Sequence, residues 1–145
     1  MRAALITILA ATALAGCQGN KDELTIENPR VRLAANPANP AAAYFTIKGG
    51  PQADKLLSVT TEINLRSELH ETTGGDHGEA TMHALPGVDI PARGTVEFKP
   101  GGKHVMLFGM QPNIKPYETV ALTFTFASGT RLVTNAKTRG AGDVL

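Results

Sequence analysis

Thr119-Val120-Ala121-Leu122-Thr123-Phe124-Thr125-Phe126, then Ala127-Ser128-Gly129 and Thr130-Arg131-Leu132-Val133-Thr134-Asn135, is the stretch that decides the fold class. Polar and apolar residues alternate there, the period of a half-buried strand. β-Branched and aromatic side chains dominate, and Ser128-Gly129 is a turn signal, so the pair predicts a hairpin. The same period recurs in short pieces toward the N-terminus. His104 to Met110 is a strand candidate. Thr95-Val96-Glu97-Phe98 alternates and stops at Lys99-Pro100-Gly101-Gly102. Ile63 to Glu71, Lys55 to Thr61, Ala43 to Lys48 and Leu24 to Glu27 complete the set. Asn36-Pro37-Ala38-Asn39-Pro40 is a loop, because each Pro disfavours helix in the residue before it. No window offers a long, capped amphipathic helix. The 145 residues are therefore predicted to form one all-β domain, a sandwich or barrel. Lys137 to Leu145 reads as a flexible tail.

Composition excludes several functions. Fourteen Lys and Arg stand against thirteen Asp and Glu, a net charge of +1, which leaves no electrostatic footprint for nucleic acid. A single Cys rules out an internal disulfide framework and any multi-cysteine metal cluster. There is no Gly-x-Ser-x-Gly elbow and no Cys–His pair outside the N-terminal segment, so no enzyme is predicted.

The N-terminus reads as an address. Arg2 precedes the apolar run Ala3 to Leu14, which is too short for a permanent bilayer-spanning helix. Leu14-Ala15-Gly16-Cys17 resembles a bacterial lipobox, in which the Cys thiol carries the lipid and becomes the new N-terminus. The expected organisation is a signal peptide over 1–16, a lipidated tether over 17–23 anchored through Cys17, a β-domain over 24–136 and the tail over 137–145. The expected location is extracytoplasmic or periplasmic, with the lipid anchor on a membrane; Gln18 favours the outer one.

The chemistry clusters. His70, His77, Met82, His83, His104, Met106 and Met110 all lie between positions 70 and 110, and no other His or Met follows the initiator. His104 and Met106 are two apart in a strand candidate, so both leave one face, with Phe108 and Met110 continuing it and Val105 and Leu107 opposite. Thioether sulfur is soft and uncharged and favours Cu(I), and neutral imidazole suits copper too. Without a Cys in the cluster, the set is a poor blue-copper redox site, which needs a thiolate. Met in a strand is also a common core filler, so residue types alone leave metal binding and simple packing both open.

The spacing resembles that of the periplasmic copper chaperone family PCu(A)C. Its motif is a His, ten residues beyond the next position a Met, and twenty-one residues later His-x-Met. Here His70-Glu71 is followed by ten residues to Met82 and twenty-one to His104-Val105-Met106. Leu69-His70-Glu71, Val88-Asp89-Ile90-Pro91-Ala92-Arg93-Gly94 and Lys99-Pro100-Gly101-Gly102-Lys103-His104-Val105-Met106-Leu107 resemble the family's flanking segments. Ala43-Tyr44-Phe45-Thr46-Ile47 resembles its Ala-Tyr strand. Glu71 replaces a frequent Met, and Arg30 stands where many members have Trp, with Arg32 kept.

The resemblance implies a cupredoxin-like Greek-key β-sandwich or barrel. It also implies a Cu(I) site of His70, Met82, His104 and Met106, with His77 and Met110 as accessory candidates. The implied role is a monomeric metallochaperone passing copper toward the binuclear centre of cytochrome c oxidase subunit II or to another copper metallochaperone. Copper buffering or tolerance is the alternative with the same metal. A structural β-sandwich lipoprotein without metal is the alternative from a different class.

Overall fold

The computed structural model describes residues 22–75 and 78–144. The expected signal peptide, Cys17 and most of its tether, and His77, lie outside them. The described residues form ten strands: β1 Thr25–Arg32, β2 Ala41–Lys48, β3 Asp54–Thr60, β4 Arg66–Thr73, β5 Thr81–Leu85, β6 Val88–Ile90, β7 Thr95–Phe98, β8 Lys103–Phe108, β9 Thr119–Phe126 and β10 Arg131–Arg139. They make one continuous sheet in the order β5-β4-β8-β7-β2-β1-β10-β9-β3-β6, with β8 also paired to β2. The sheet curls on itself so that one face becomes the interior, which makes the all-β sandwich or barrel that the alternation predicts.

The core follows from that alternation. Ala43, Phe45 and Ile47 of β2, Val105 and Leu107 of β8, and Val120, Leu122, Phe124 and Phe126 of β9 all point inward and are buried. Phe45 stacks on Phe98 at 4.3 Å between centroids and meets Phe124 edge-on at 4.8 Å, so three strands are tied through one aromatic cluster. The predicted hairpin is present: β9 and β10 pair antiparallel from Arg131↔Thr125 to Lys137↔Thr119, with Gly129 at φ 89° in the turn.

Several elements differ from the sequence reading; β1 runs on to Arg32 and β8 stops at Phe108. β4 begins at Arg66, not Ile63, because Asn64 folds back to bond the Arg66 carbonyl (2.6 Å) and leaves Leu65 89% exposed. β10 continues to Arg139, so Lys137-Thr138-Arg139 is strand and not tail. These three residues pair in parallel with Arg30, Val31 and Arg32 of β1, which supplies backbone partners that a polar sequence does not advertise. Gly140 N–H then donates to the Asp143 carboxylate at 2.8 Å, closing the following turn. Finally, β5 and β6 are strands although neither carries a clear alternation; β5 is an exposed edge strand and β6 is three residues long.

Candidate copper site

Strand pairing brings the four motif residues to one face of β5-β4-β8. His70 lies directly opposite His104 in the β4–β8 ladder, and Glu68 lies opposite Met106. On the other side of β4, Thr72 pairs with Met82 and His70 with Ala84, so Met82 sits on the His70 face one diagonal step away. The two imidazole rings stand 6.0 Å apart between centroids and 31° from parallel. The inner face of the same pairing is Leu69, Val105 and Leu107, all buried.

Each imidazole presents a defined nitrogen. His104 Nδ1 lies 2.9 Å from the Gly102 carbonyl. A carbonyl only accepts, so Nδ1 carries the proton and Nε2 keeps its lone pair. The Lys99–Gly102 turn makes this possible: Gly101 adopts φ 78°, and Gly102 N–H donates to the Lys99 carbonyl at 3.1 Å. His70 is arranged the other way round. Its Nε2 lies 3.0 Å from Glu68 Oε2, and the second Glu68 oxygen takes Arg66 Nε at 3.0 Å. The hydrogen bond from His70 holds the Glu68 carboxyl below the ordinary glutamate range; partial desolvation opposes this and the Arg66 charge adds to it. An ionised carboxylate fixes the proton on His70 Nε2. That leaves Nδ1 as an acceptor, and it is buried with no hydrogen-bond partner.

A buried, unpaired ring nitrogen costs stability unless something fills its lone pair. Here that ring shares its face of the sheet with a second imidazole and two thioethers. Among the described residues no group of three or more His, Cys, Asp or Glu gathers as a harder metal would want. Two neutral nitrogens and two thioether sulfurs suit a soft monovalent ion, and each histidine has the outer partner that fixes ligand tautomers in metal sites. His104 is buried and His70 nearly so, whereas Met82 is 50% exposed. The ring of Tyr44, on β2 and the same outer face, flanks the site 6.5 Å from His104. Burial pushes the Tyr44 phenol above its ordinary range, and the charges of Arg32 and Arg30 oppose that shift.

Of the two accessory candidates, His77 lies outside the described residues and Met110 is placed away from the site. Met110 does not continue the His104 face. β8 stops at Phe108, and Gly109 at φ 64° turns the chain away, with Leu65 too close to admit a side chain there. Met110 instead lines a cavity of about 220 Å³ with Leu33, Ala41 and Ile114. His83 pairs with Glu71 and is exposed on the opposite face from Met82, as strand alternation requires. Sequence reading missed Glu68 and the Gly102 carbonyl. Glu68 had a usable signal, since a residue two before a strand histidine shares its face.

A family model described as "Putative lipoprotein LpqE-like" matches residues 24–138. Among curated proteins, "Putative lipoprotein Lxx21020" of Leifsonia xyli subsp. xyli is 29% identical over 89 residues, 61% of this chain and 54% of that protein. The chain thus spans little more than half the length of this relative. Among solved structures, the Cu(I)-bound DR1885 protein of Deinococcus radiodurans matches at 32% identity and TM-score 0.66, covering 86% of this chain and 83% of that one. The apo PCuAC domain of PmoF2 matches at TM-score 0.68 over 83% and 93% of the two chains, and at 17% identity that likeness concerns the fold.

Proposed function

The chain belongs to the LpqE-like family, and on that premise we propose that it is an extracytoplasmic copper carrier that holds one Cu(I) on His70, Met82, His104 and Met106 and gives it up to an acceptor protein. One observation carries the reading. Two opposed imidazoles share one face of the sheet with both thioethers, each has one ring nitrogen held by an outer partner, and the other nitrogen of His70 is buried without a hydrogen-bond partner. The Cu(I)-bound state of the DR1885 relative supports the choice of metal.

The geometry suits transfer as well as capture. Thioethers bind without losing a proton, so loading and release need no acid–base step at sulfur. The histidines are locked by second partners, while Met82 stands on an exposed edge strand. An incoming ligand can replace Met82 first and leave the rigid pair for last. That exposure favours handover over long-term buffering, in which the ion would be enclosed. The role is binding, without catalysis of its own. The acceptor we propose is the binuclear copper centre of cytochrome c oxidase or a further copper metallochaperone. Lipid attachment at Cys17 would keep the domain at a membrane surface near such acceptors.

The test is a Cu(I) titration of the purified protein against a competing chelator, with X-ray absorption to count neighbours. The expected result is one ion with two nitrogen and two sulfur ligands. A stoichiometry below one half, or a shell without sulfur, would overturn the assignment.

A further inference from the structure

The copper face does not end at β8. Across the sheet it continues onto β2, β1 and β10 as two rows. Arg30 lies opposite Tyr44 on one side and beside Lys137 on the other. Arg32 lies opposite Ala42, which itself pairs with Met106, and beside Arg139. Both guanidinium groups of β1 stand 5.9 Å from the Tyr44 ring centroid, and that ring neighbours His104. Two strand spacings, about 10 Å, separate the β1 cations from the β8 ligands.

These four cations have no carboxylate partner among the described residues, although Lys55, Arg66, Arg93, Lys99 and Lys103 each hold one. Arg30 donates one N–H to the Asn28 carbonyl and Arg32 one to the Asp143 carbonyl. The nearby Asp143 carboxylate is taken by Gly140 N–H and the Tyr117 hydroxyl. Acids and bases nearly balance over the chain. Lys48, Lys115 and Arg131 are also without a carboxylate among the described residues, but the four cations of β1 and β10 are direct neighbours in the β1–β10 pairing and form a compact unpaired cluster on one flank of the copper face. The other flank is neutralised locally, with Arg66 held to Glu68.

We propose that Arg30, Arg32, Lys137 and Arg139 form the docking surface for a carboxylate-rich flank on the protein that accepts the copper. This rests on the copper reading above. Any acceptor ligand that reaches Met82 or Met106 brings its own surface over β8, β2 and β1. At about one Debye length the unpaired cations attract an acidic surface in that position and repel a basic one. Such charges act chiefly on encounter rate and partner choice, and only weakly on the metal. An acidic protein fits better than anionic lipid. The chain enters β1 at Thr25, seven strand residues or about 23 Å from Arg32, so a tether there does not press the cations onto the bilayer. A membrane lying on this face would also cover Met106, which transfer requires free.

The experiment uses the Cu(I)-loaded protein and two synthetic peptides that share one two-cysteine Cu(I) site. One peptide is flanked by four Glu, the other by four Lys. Stopped-flow transfer should be about ten-fold faster to the Glu peptide at low salt, and the two rates should converge at 0.5 M salt. Lys137→Glu with Arg139→Glu should abolish or invert the preference while leaving Cu(I) affinity unchanged. Arg30→Gln with Arg32→Gln should remove it, and provides a second route should either variant fail to fold by circular dichroism. Equal rates for the two peptides with the wild-type protein, or an intact Glu preference in the folded variants, overturn the proposal. So does a loss of binding to phosphatidylglycerol vesicles in those variants with transfer unaffected, which would assign the face to lipid. Failure of the wild-type protein to load Cu(I) at all would instead sink the copper reading.

Discussion

The two faces of the β4–β8 pairing are built from alternate residues of the same strands, yet they obey different rules. The inner face carries Leu69, Val105 and Leu107, which any well-packed apolar set of equal volume could replace. The outer face carries His70, His104, Met106 and Glu68, where no isostere of equal volume offers the same donor atoms. One face is specified by shape, the other by lone pairs. Stability and metal binding should therefore separate cleanly under mutation, although the residues involved are chain neighbours.

The largest effect expected on the inner face is Leu107→Ala. Removing a fully buried Leu should lower unfolding free energy by about 2–5 kcal/mol in urea melts. The Cu(I) affinity of the folded fraction should stay within a few-fold, and a parallel collapse of affinity would break the separation. On the outer face, His104→Ala should weaken Cu(I) binding by more than about 100-fold, beyond what loss of an outer partner costs. Glu68→Gln should come next, at about 10-fold, since the amide no longer fixes the proton on His70 Nε2. Nitrogen-15 shifts of the apo protein read that change directly; a ring still protonated only at Nε2 would show that Glu68 does not set the tautomer.

The smallest effect tests a place remote from both faces. Partial burial would raise the Asp54 carboxyl, but hydrogen bonds from Ser128 Oγ (2.6 Å), Lys55 N and Ser128 N outweigh it and hold it below the ordinary aspartate range. A depressed pKa gives stability that is present at neutral pH and lost as pH falls through the folded-state value. Asp54→Asn should flatten the acid limb of the stability curve, with Cu(I) affinity at pH 7 unchanged. An unaltered acid limb would remove Asp54 from the account.

What was legible in the sequence followed the same division. Alternation showed β9, β10 and the two faces of β8, because burial on one side writes period two into the residues. β5 was illegible because both of its sides meet water, and no apolar pattern marks Thr81 to Leu85. The end of β10 was illegible because Lys137-Thr138-Arg139 is held by backbone bonds to β1, which any sequence can make. The histidine–methionine set showed itself through spacing. For the Arg66–Glu68–His70 chain, alternation places all three on one face, but the hydrogen bonds between them depend on rotamers that no pattern records.

The parallel pairing of β1 with β10 also sets an order of events. Arg32 and Arg139 lie side by side but nearly a whole domain apart in the chain. An N-terminal strand emerging early during synthesis has β2 to pair with, but its other edge stays open until the last strand arrives. Contacts that span so much chain form late and slowly. The domain can thus complete itself only after β10 is available, and until then β1 offers an unpaired edge that another chain could capture.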